Sequence, residues 1–361
     1  MIRGIKQNRQ RIIGLDLFRV GLALLIFMFH SQGQFNCVYH VIYSFVSMGA
    51  IAMTGFFLLS GYVLYISYAD KDLTTLNDVK QFYLKRAITI LPLYFFIAVA
   101  YTIFDFIRGN ASIQDYLVLF PVETFCLQSV FSSLYHNIHN RGTWFISCIM
   151  ICYVIYPFLQ TMLSQLSTRS KVILIIIFTF LLLYSPVVQS YFNLQSIYSN
   201  PFFRALEFSI GILLAQINSS ARDNKILHYF RTKYSLVIAI VALITLTIFA
   251  RHIGLQGDFM LYNWIALPCF IVIIIALGYI PFTSFSMNKQ IIYLSNISFA
   301  FFLIQVLPLW LVSGKICRML GSDANLVKII VSFSLCLLGA ILVHECVEKP
   351  IAMKFRKALF S

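Results

Sequence analysis

The chain has 361 residues, 60% of them apolar and 11% charged, against a charged share of about a quarter in soluble domains. With a mean hydropathy of +0.84, this composition excludes a soluble globule, a disordered chain, a fibrous repeat and a disulfide scaffold, and points to one membrane-embedded unit over residues 1–361 with no appended soluble domain. The net charge of +14, from 27 Lys and Arg against 13 Asp and Glu, points in such a chain to membrane lipid as partner and not to nucleic acid.

Apolar runs of about 20 residues recur along the whole length, each able to cross a ~30 Å hydrocarbon core. Polar and charged breaks divide them into about ten predicted transmembrane helices, an all-α polytopic membrane protein, at 14–36, 44–68, 88–107, 144–164, 172–191, 202–217, 234–251, 261–281, 291–313 and 327–347. The first run is too long for a signal-peptide core and lacks a small-residue cleavage site, so it reads as a retained helix. The sixth is short and carries Glu207. An even number of spans puts both termini on one side. Seven basic residues (Arg108, Arg141, Arg204, Arg251, Lys315, Arg318 and Lys328) then fall on the other side, Arg19 falls inside the first span, and the remaining nineteen of the 27 share the side of the termini. By the positive-inside rule both termini are cytoplasmic. The eight cysteines form no CxxC pair, so neither a metal site nor a disulfide framework is indicated, and Cys148 and Cys152 read as packing residues.

Ionisable groups at membrane depth are costly and face a bundle interior or a wet cavity, so they mark the candidate site. In the first helix Arg19 and His30 are eleven residues apart, which returns them to nearly one face with an axial offset of roughly 16 Å. Asp16 stands one turn before Arg19, placed to pair with it. Two readings stand side by side: a polar track across the membrane, or groups that snorkel to the two interfaces. Lys85 and Arg86, at the cytoplasmic entry to the third helix beside Phe82 and Tyr83, either grip phosphates or only set topology. The longest connection, outer residues 108–142, has an apolar stretch from Tyr116 to Leu134 that is either a bland loop or a surface segment roofing a cavity. Trp144 and Tyr156 read as interface anchors. Arg204 and Glu207 read as an ion pair within the sixth span, more simply structural than functional. His344 and Glu345 are neighbours that do not face one another on a helix. No phosphate loop, GxGxxG, HExxH or GxSxG is present, so any enzyme here works within or at the membrane.

Several segments carry more specific motifs. The first is Gly14-Leu15-Asp16-Leu17-Phe18-Arg19 running on to Phe29-His30, with ten positions between the basic residue and the histidine. Next come Gly55-Phe56-Phe57-Leu58-Leu59-Ser60-Gly61-Tyr62, Lys85-Arg86 with Pro92 and Tyr94, and Thr143-Trp144-Phe145-Ile146-Ser147 leading to Tyr153 and Pro157. Arg204 through Phe208 with Gly211, Ser298 through Gln305, and Glu348-Lys349-Pro350 complete the series. In this order, over nearly the whole chain, they resemble the acyltransferase 3 family of bacterial integral-membrane acyltransferases. Thr89 stands where family members often carry a second arginine, and Gln305 where many carry histidine.

The resemblance implies transfer of an acyl group, usually acetyl from acetyl-CoA, to a hydroxyl of a cell-envelope or exported polysaccharide or its lipid-linked precursor. The protein would then be a multi-pass O-acetyltransferase of the bacterial cytoplasmic membrane. Its co-substrate would be acyl-CoA, with no permanently bound cofactor and no metal; a carbohydrate would be the acceptor, and polysaccharide-assembly proteins further partners. His30, Arg19 and Asp16 take the catalytic positions, with His30 either removing the acceptor's proton or transiently carrying the acyl group. Lys85 and Arg86 take the donor-binding positions, and Ser60, Trp144, Arg204 and Glu207 the rest of the pocket. From buried charges and helix number alone, the alternative is a secondary transporter or permease for a lipid-linked sugar.

Overall fold

The structure is a computed structural model that describes residues 11–35, 39–108, 113–131, 141–193, 196–220, 225–253, 263–281, 287–319, 321 and 324–360. Helix takes up 87% of these residues, with no strand among them. Lipid demands this, because backbone groups without water must be satisfied within closed hydrogen-bond patterns.

The first half of the chain forms α1 (Ile13–Phe35), α2 (Tyr43–Val46), α3 (Ala52–Tyr68), α4 (Leu76–Arg108), α5 (Ile113–Thr124), α6 (Trp144–Ser164) and α7 (Thr168–Phe192). The second half forms α8 (Pro201–Ser220), α9 (Lys225–Phe230), α10 (Lys233–His252), α11 (Asn263–Leu277), α12 (Asn288–Ile304), α13 (Val306–Leu311), α14 (Cys317–Met319), α15 (Asn325–Val343) and α16 (Lys349–Phe360).

A helix stands at each of the ten expected places, yet seven among the described residues are long and apolar enough to cross a membrane. The other three fall short for visible reasons. Polar groups from Arg204 to Asn218 interrupt α8, while α11 and α12 run for only 15 and 17 residues. The chain is an all-α multi-pass membrane protein.

Four boundaries differ from expectation. The second run is broken, with α2 and a 3-10 turn over Gly49–Ile51 ahead of α3. That turn lies hard against α1, where a Cβ on Gly49 would sit 2.7 Å from Phe29 Cβ. Helix α4 begins at Leu76, well before its apolar window, because Thr75 caps it by accepting the Asp78 N–H at 3.2 Å. Helix α12 stops at Ile304, since Pro308 lacks an N–H and its ring clashes with the carbonyl four residues earlier. The Leu307 N–H beyond that break donates instead to Tyr101 Oη on α4, at 3.0 Å. Helix α15 passes through a π turn over His344–Glu348 into α16, and His344 Nδ1 meets Glu348 there at 2.8 Å, one turn away instead of its neighbour Glu345.

The core is the crossing of α3 and α8. In the apolar window that contains α3, 72% of residues are buried, against 11% for peripheral α7. A Cβ on Gly61 would lie 1.9 Å from the Phe208 carbonyl oxygen, and one on Gly211 would lie 2.0 Å from that of Leu58. Only paired glycines let two backbones touch this closely, the small-residue packing that replaces the hydrophobic effect between helices in lipid. Cys148 and Cys152 are fully buried packing residues, as their spacing suggests.

Candidate active site

Arg19, Ala23, Ile26 and His30 share one face of α1. Ala23 and Ile26 are 4% and 2% exposed, whereas Leu17 and Leu24 on the opposite face are 43% and 39% exposed. The polar stripe therefore points into the bundle and not into lipid. Protein surrounds Arg19 and His30, yet both keep accessible surface on this inward face. Among the described residues neither makes a hydrogen bond or an ion pair, and the His30 ring lies 5.3 Å from that of Phe29.

The expected Asp16–Arg19 pair does not form. Asp16, 6% exposed, accepts from Arg11 Nε at 2.6 Å, from Arg11 Nη2 at 2.8 Å and from Ser295 Oγ at 2.6 Å. A guanidinium matches a carboxylate edge to edge, and this bidentate fork with a third donor outcompetes a neighbour on the same helix. Arg19 stays within electrostatic reach of Asp16 without a contact.

Arg86 is half-buried in an aromatic nest. Its Nη2 donates to Tyr68 Oη at 3.2 Å, and its guanidinium carbon lies 5.2, 5.8 and 5.9 Å from the ring centres of Tyr68, Phe82 and Tyr153. Cation–π attraction holds the charge there, and among the described residues Arg86 makes no ion pair. The Tyr153 phenol lies within electrostatic reach of both Arg86 and Arg19, so α6 links the α1 stripe to the basic segment of α4. Lys85 is half-buried on the same turn. Thr89, in the place of a second arginine, donates to the Lys85 carbonyl at 2.7 Å and adds no charge.

The packing of α1 on α3 fixes a register. Gly49 lies against Phe29, and a Cβ on Gly55 would be 2.8 Å from Leu22 Cδ2. This antiparallel arrangement puts Ser60 near the level of Arg19 and His30 beside the turn at Gly49. Phe56, Ser60 and Val63 form an i, i+4, i+7 stripe that keeps accessible surface on α3, which is otherwise buried from Ala52 to Leu64.

Arg204 and Glu207 make a second polar site, and both are 0% exposed. Arg204 Nη1 lies 2.8 Å from Glu207 Oε2, its Nε donates to the Tyr198 carbonyl at 2.7 Å, and Thr54 Oγ1 bonds both Glu207 and Asn263 at 2.8 and 3.1 Å. Rings of Phe57, Trp144 and Tyr198 enclose the guanidinium at 5.4, 5.4 and 4.7 Å. Trp144 is thus a wall of an arginine box, not an interface anchor, and Tyr156, 0% exposed, stacks on Phe82 in the core. The connection after α5 tucks over this box: Gln128 donates to the Thr143 carbonyl at 3.0 Å and Ser129 to that of Trp144 at 2.8 Å. Residues 132–140 of that connection lie outside the described residues.

Four participants gave little signal in the sequence. Arg11 precedes α1 and stands five residues before Asp16, a spacing that helical periodicity does not pair. Tyr153 stands in the motif that opens with Trp144, but nothing local to it points to Arg19 or Arg86. Thr54 and Asn263 join Glu207 only through contacts remote along the chain.

The family model described as an acyltransferase domain matches residues 12–345, from just before α1 into the π turn. No curated protein and no solved structure matches the chain. The matched region holds the inward stripe of α1, the glycine crossing of α3 with α8 and the arginine box together. The chain belongs to the acyltransferase 3 family, and its activity is acyl transfer carried out by a membrane-embedded protein.

Proposed function

We propose that the chain is an O-acetyltransferase of a bacterial cytoplasmic membrane that moves acetyl from acetyl-CoA to a hydroxyl of a cell-envelope or exported polysaccharide, or of its lipid-linked precursor. The observation that carries this reading is an inward-facing arginine with no hydrogen-bonded or ionic partner among the described residues, followed along the same stripe by an inward-facing histidine. An uncompensated cation at membrane depth is costly unless something anionic comes to it.

Division of labour follows from distance. Eleven residues of helix separate the two side chains by roughly 16 Å along the axis, too far for both to touch one reacting carbonyl. Arg19 therefore serves the anionic part of the donor, with Arg86 and Lys85 as further phosphate-binding cations, and His30 serves the thioester end. The neutral His30 imidazole accepts the proton of the acceptor hydroxyl while that oxygen attacks the thioester carbonyl carbon. The carbon–sulfur bond breaks, the new ester stays on the sugar, and the sulfur leaves as a thiol with the proton that the imidazole returns. Ser60 lines the same passage. Trp144, Arg204 and Glu207 shape its wall from the arginine box and do not touch the donor.

The test is ester content of the envelope polysaccharide, by NMR, in the parent strain, in a deletion strain, and in the deletion strain carrying His30→Ala or Arg19→Ala. Esters are expected to vanish in all three altered strains at unchanged protein level. Esters that persist with both substitutions overturn the mechanism, and acceptor movement without consumption of acetyl-CoA returns the protein to a permease.

A further inference from the structure

Asp16 is one turn from Arg19 and, on helical spacing alone, its natural counter-ion. A paired Arg19 has little to offer a ligand. The structure keeps the two apart through a residue outside the helix: Arg11, 40% exposed at the rim, holds Asp16 with both arms of its guanidinium at 2.6 and 2.8 Å. Arg11 is itself fixed to α12, where its Nη2 donates to Asn296 Oδ1 at 2.9 Å. Ser295, the residue before, supplies the third bond to Asp16, at 2.6 Å. Asp16 is thereby tied to α12, and Arg19 makes no ion pair among the described residues although Asp16, Tyr153 and Arg11 all lie within its electrostatic reach.

We propose that Arg11 is a positioning residue that clamps the Asp16 carboxylate against α12 and so keeps the Arg19 guanidinium open to a phosphate ester of the acyl donor. This rests on the reading above, in which Arg19 receives the anionic part of that donor. Without the clamp, Asp16 turns to Arg19 and competes with the phosphate for the same donors. The clamp acts on donor binding and leaves the chemistry at His30, roughly 16 Å further along the helix, untouched.

The experiment uses full-length protein in native membrane vesicles, with acetyl-CoA as the probe, and reads binding, KM and kcat for wild type, Arg11→Ala, Arg11→Lys, Asp16→Asn and the double variant Arg11→Ala/Asp16→Asn. Arg11→Ala is expected to raise KM for acetyl-CoA by about tenfold, the scale of one charge-assisted hydrogen bond, with kcat unchanged. Arg11→Lys keeps the charge but not the fork, so its KM rises less. The double variant is expected to return KM towards wild type, because an amide has no charge to set against Arg19; a merely structural Arg11 would give the opposite, a double variant worse than either single one. An unchanged KM in Arg11→Ala, or a double variant no better than Arg11→Ala, overturns the clamp. Wild-type vesicles that neither bind nor consume acetyl-CoA overturn the donor reading and the clamp together, whereas wild type that binds it no better than Arg11→Ala overturns the clamp alone.

Discussion

Arg204 on α8 gives Nε to the Tyr198 carbonyl and Nη1 to Glu207, sits among three aromatic rings and is 0% exposed. Arg19 on α1 faces the interior of the same bundle, keeps accessible surface and contacts no anion among the described residues. Burial alone therefore does not distinguish a functional charge from a structural one in this protein; a counter-ion does. A charge whose counter-ion the fold supplies holds the core together, and one that makes no ion pair among the described residues on an accessible inward face awaits a partner from outside.

The largest effect that can break this contrast is stability. Glu207→Ala strands the Arg204 cation in the core, and removing one member of a buried pair costs about 3–5 kcal/mol. Loss of folded protein is the expected outcome, read by size exclusion after mild detergent extraction and by the thermal midpoint. Arg19→Ala is expected to keep the wild-type midpoint while losing acyl transfer. Should Arg19→Ala unfold as readily as Glu207→Ala, the two arginines are alike and the contrast falls.

A smaller effect separates two glycines. Gly61→Ala drives a Cβ into the Phe208 carbonyl oxygen, 1.9 Å away on a backbone that cannot yield without parting α3 from α8, and overpacking of this kind costs about 1–3 kcal/mol or more. Gly21→Ala on α1 meets nothing within 4 Å and gains helix propensity of up to about 1 kcal/mol. The midpoints of the two variants are expected to move in opposite directions. Equal shifts would place the core elsewhere than the α3–α8 crossing.

The helices were legible in the sequence because lipid imposes long apolar runs on every span. Boundaries were less so wherever something other than hydropathy sets the end: the Thr75 cap starts α4 ahead of its apolar window, and Pro308 ends α12 inside one. At the site, the Arg19–His30 stripe was legible from spacing within a single helix. The partner of Asp16 was not, since Arg11 lies before the helix and is held in place by Asn296, far along the chain. Trp144 was misread for a related reason. A tryptophan at a helix start beside a polar connection has the same local sequence whether it faces lipid headgroups or, as here, a buried guanidinium.

The smallest expected effect sharpens the same contrast at Tyr153, whose phenol lies within electrostatic reach of both Arg19 and Arg86. A hydroxyl oxygen near two cations softens their repulsion and helps orient an anion that reaches them. Tyr153→Phe removes that oxygen and keeps the ring that borders Arg86 at 5.9 Å. Its cost is on the order of one hydrogen bond to a charged group, so KM for acetyl-CoA is expected to rise several-fold with little change in the thermal midpoint. Tyr156→Phe supplies the comparison, because its hydroxyl meets the Leu64 carbonyl at 3.4 Å within the core, and KM there should stay at the wild-type value. A Tyr153→Phe protein with normal KM and a lowered midpoint would instead place Tyr153 with the structural groups around Arg204.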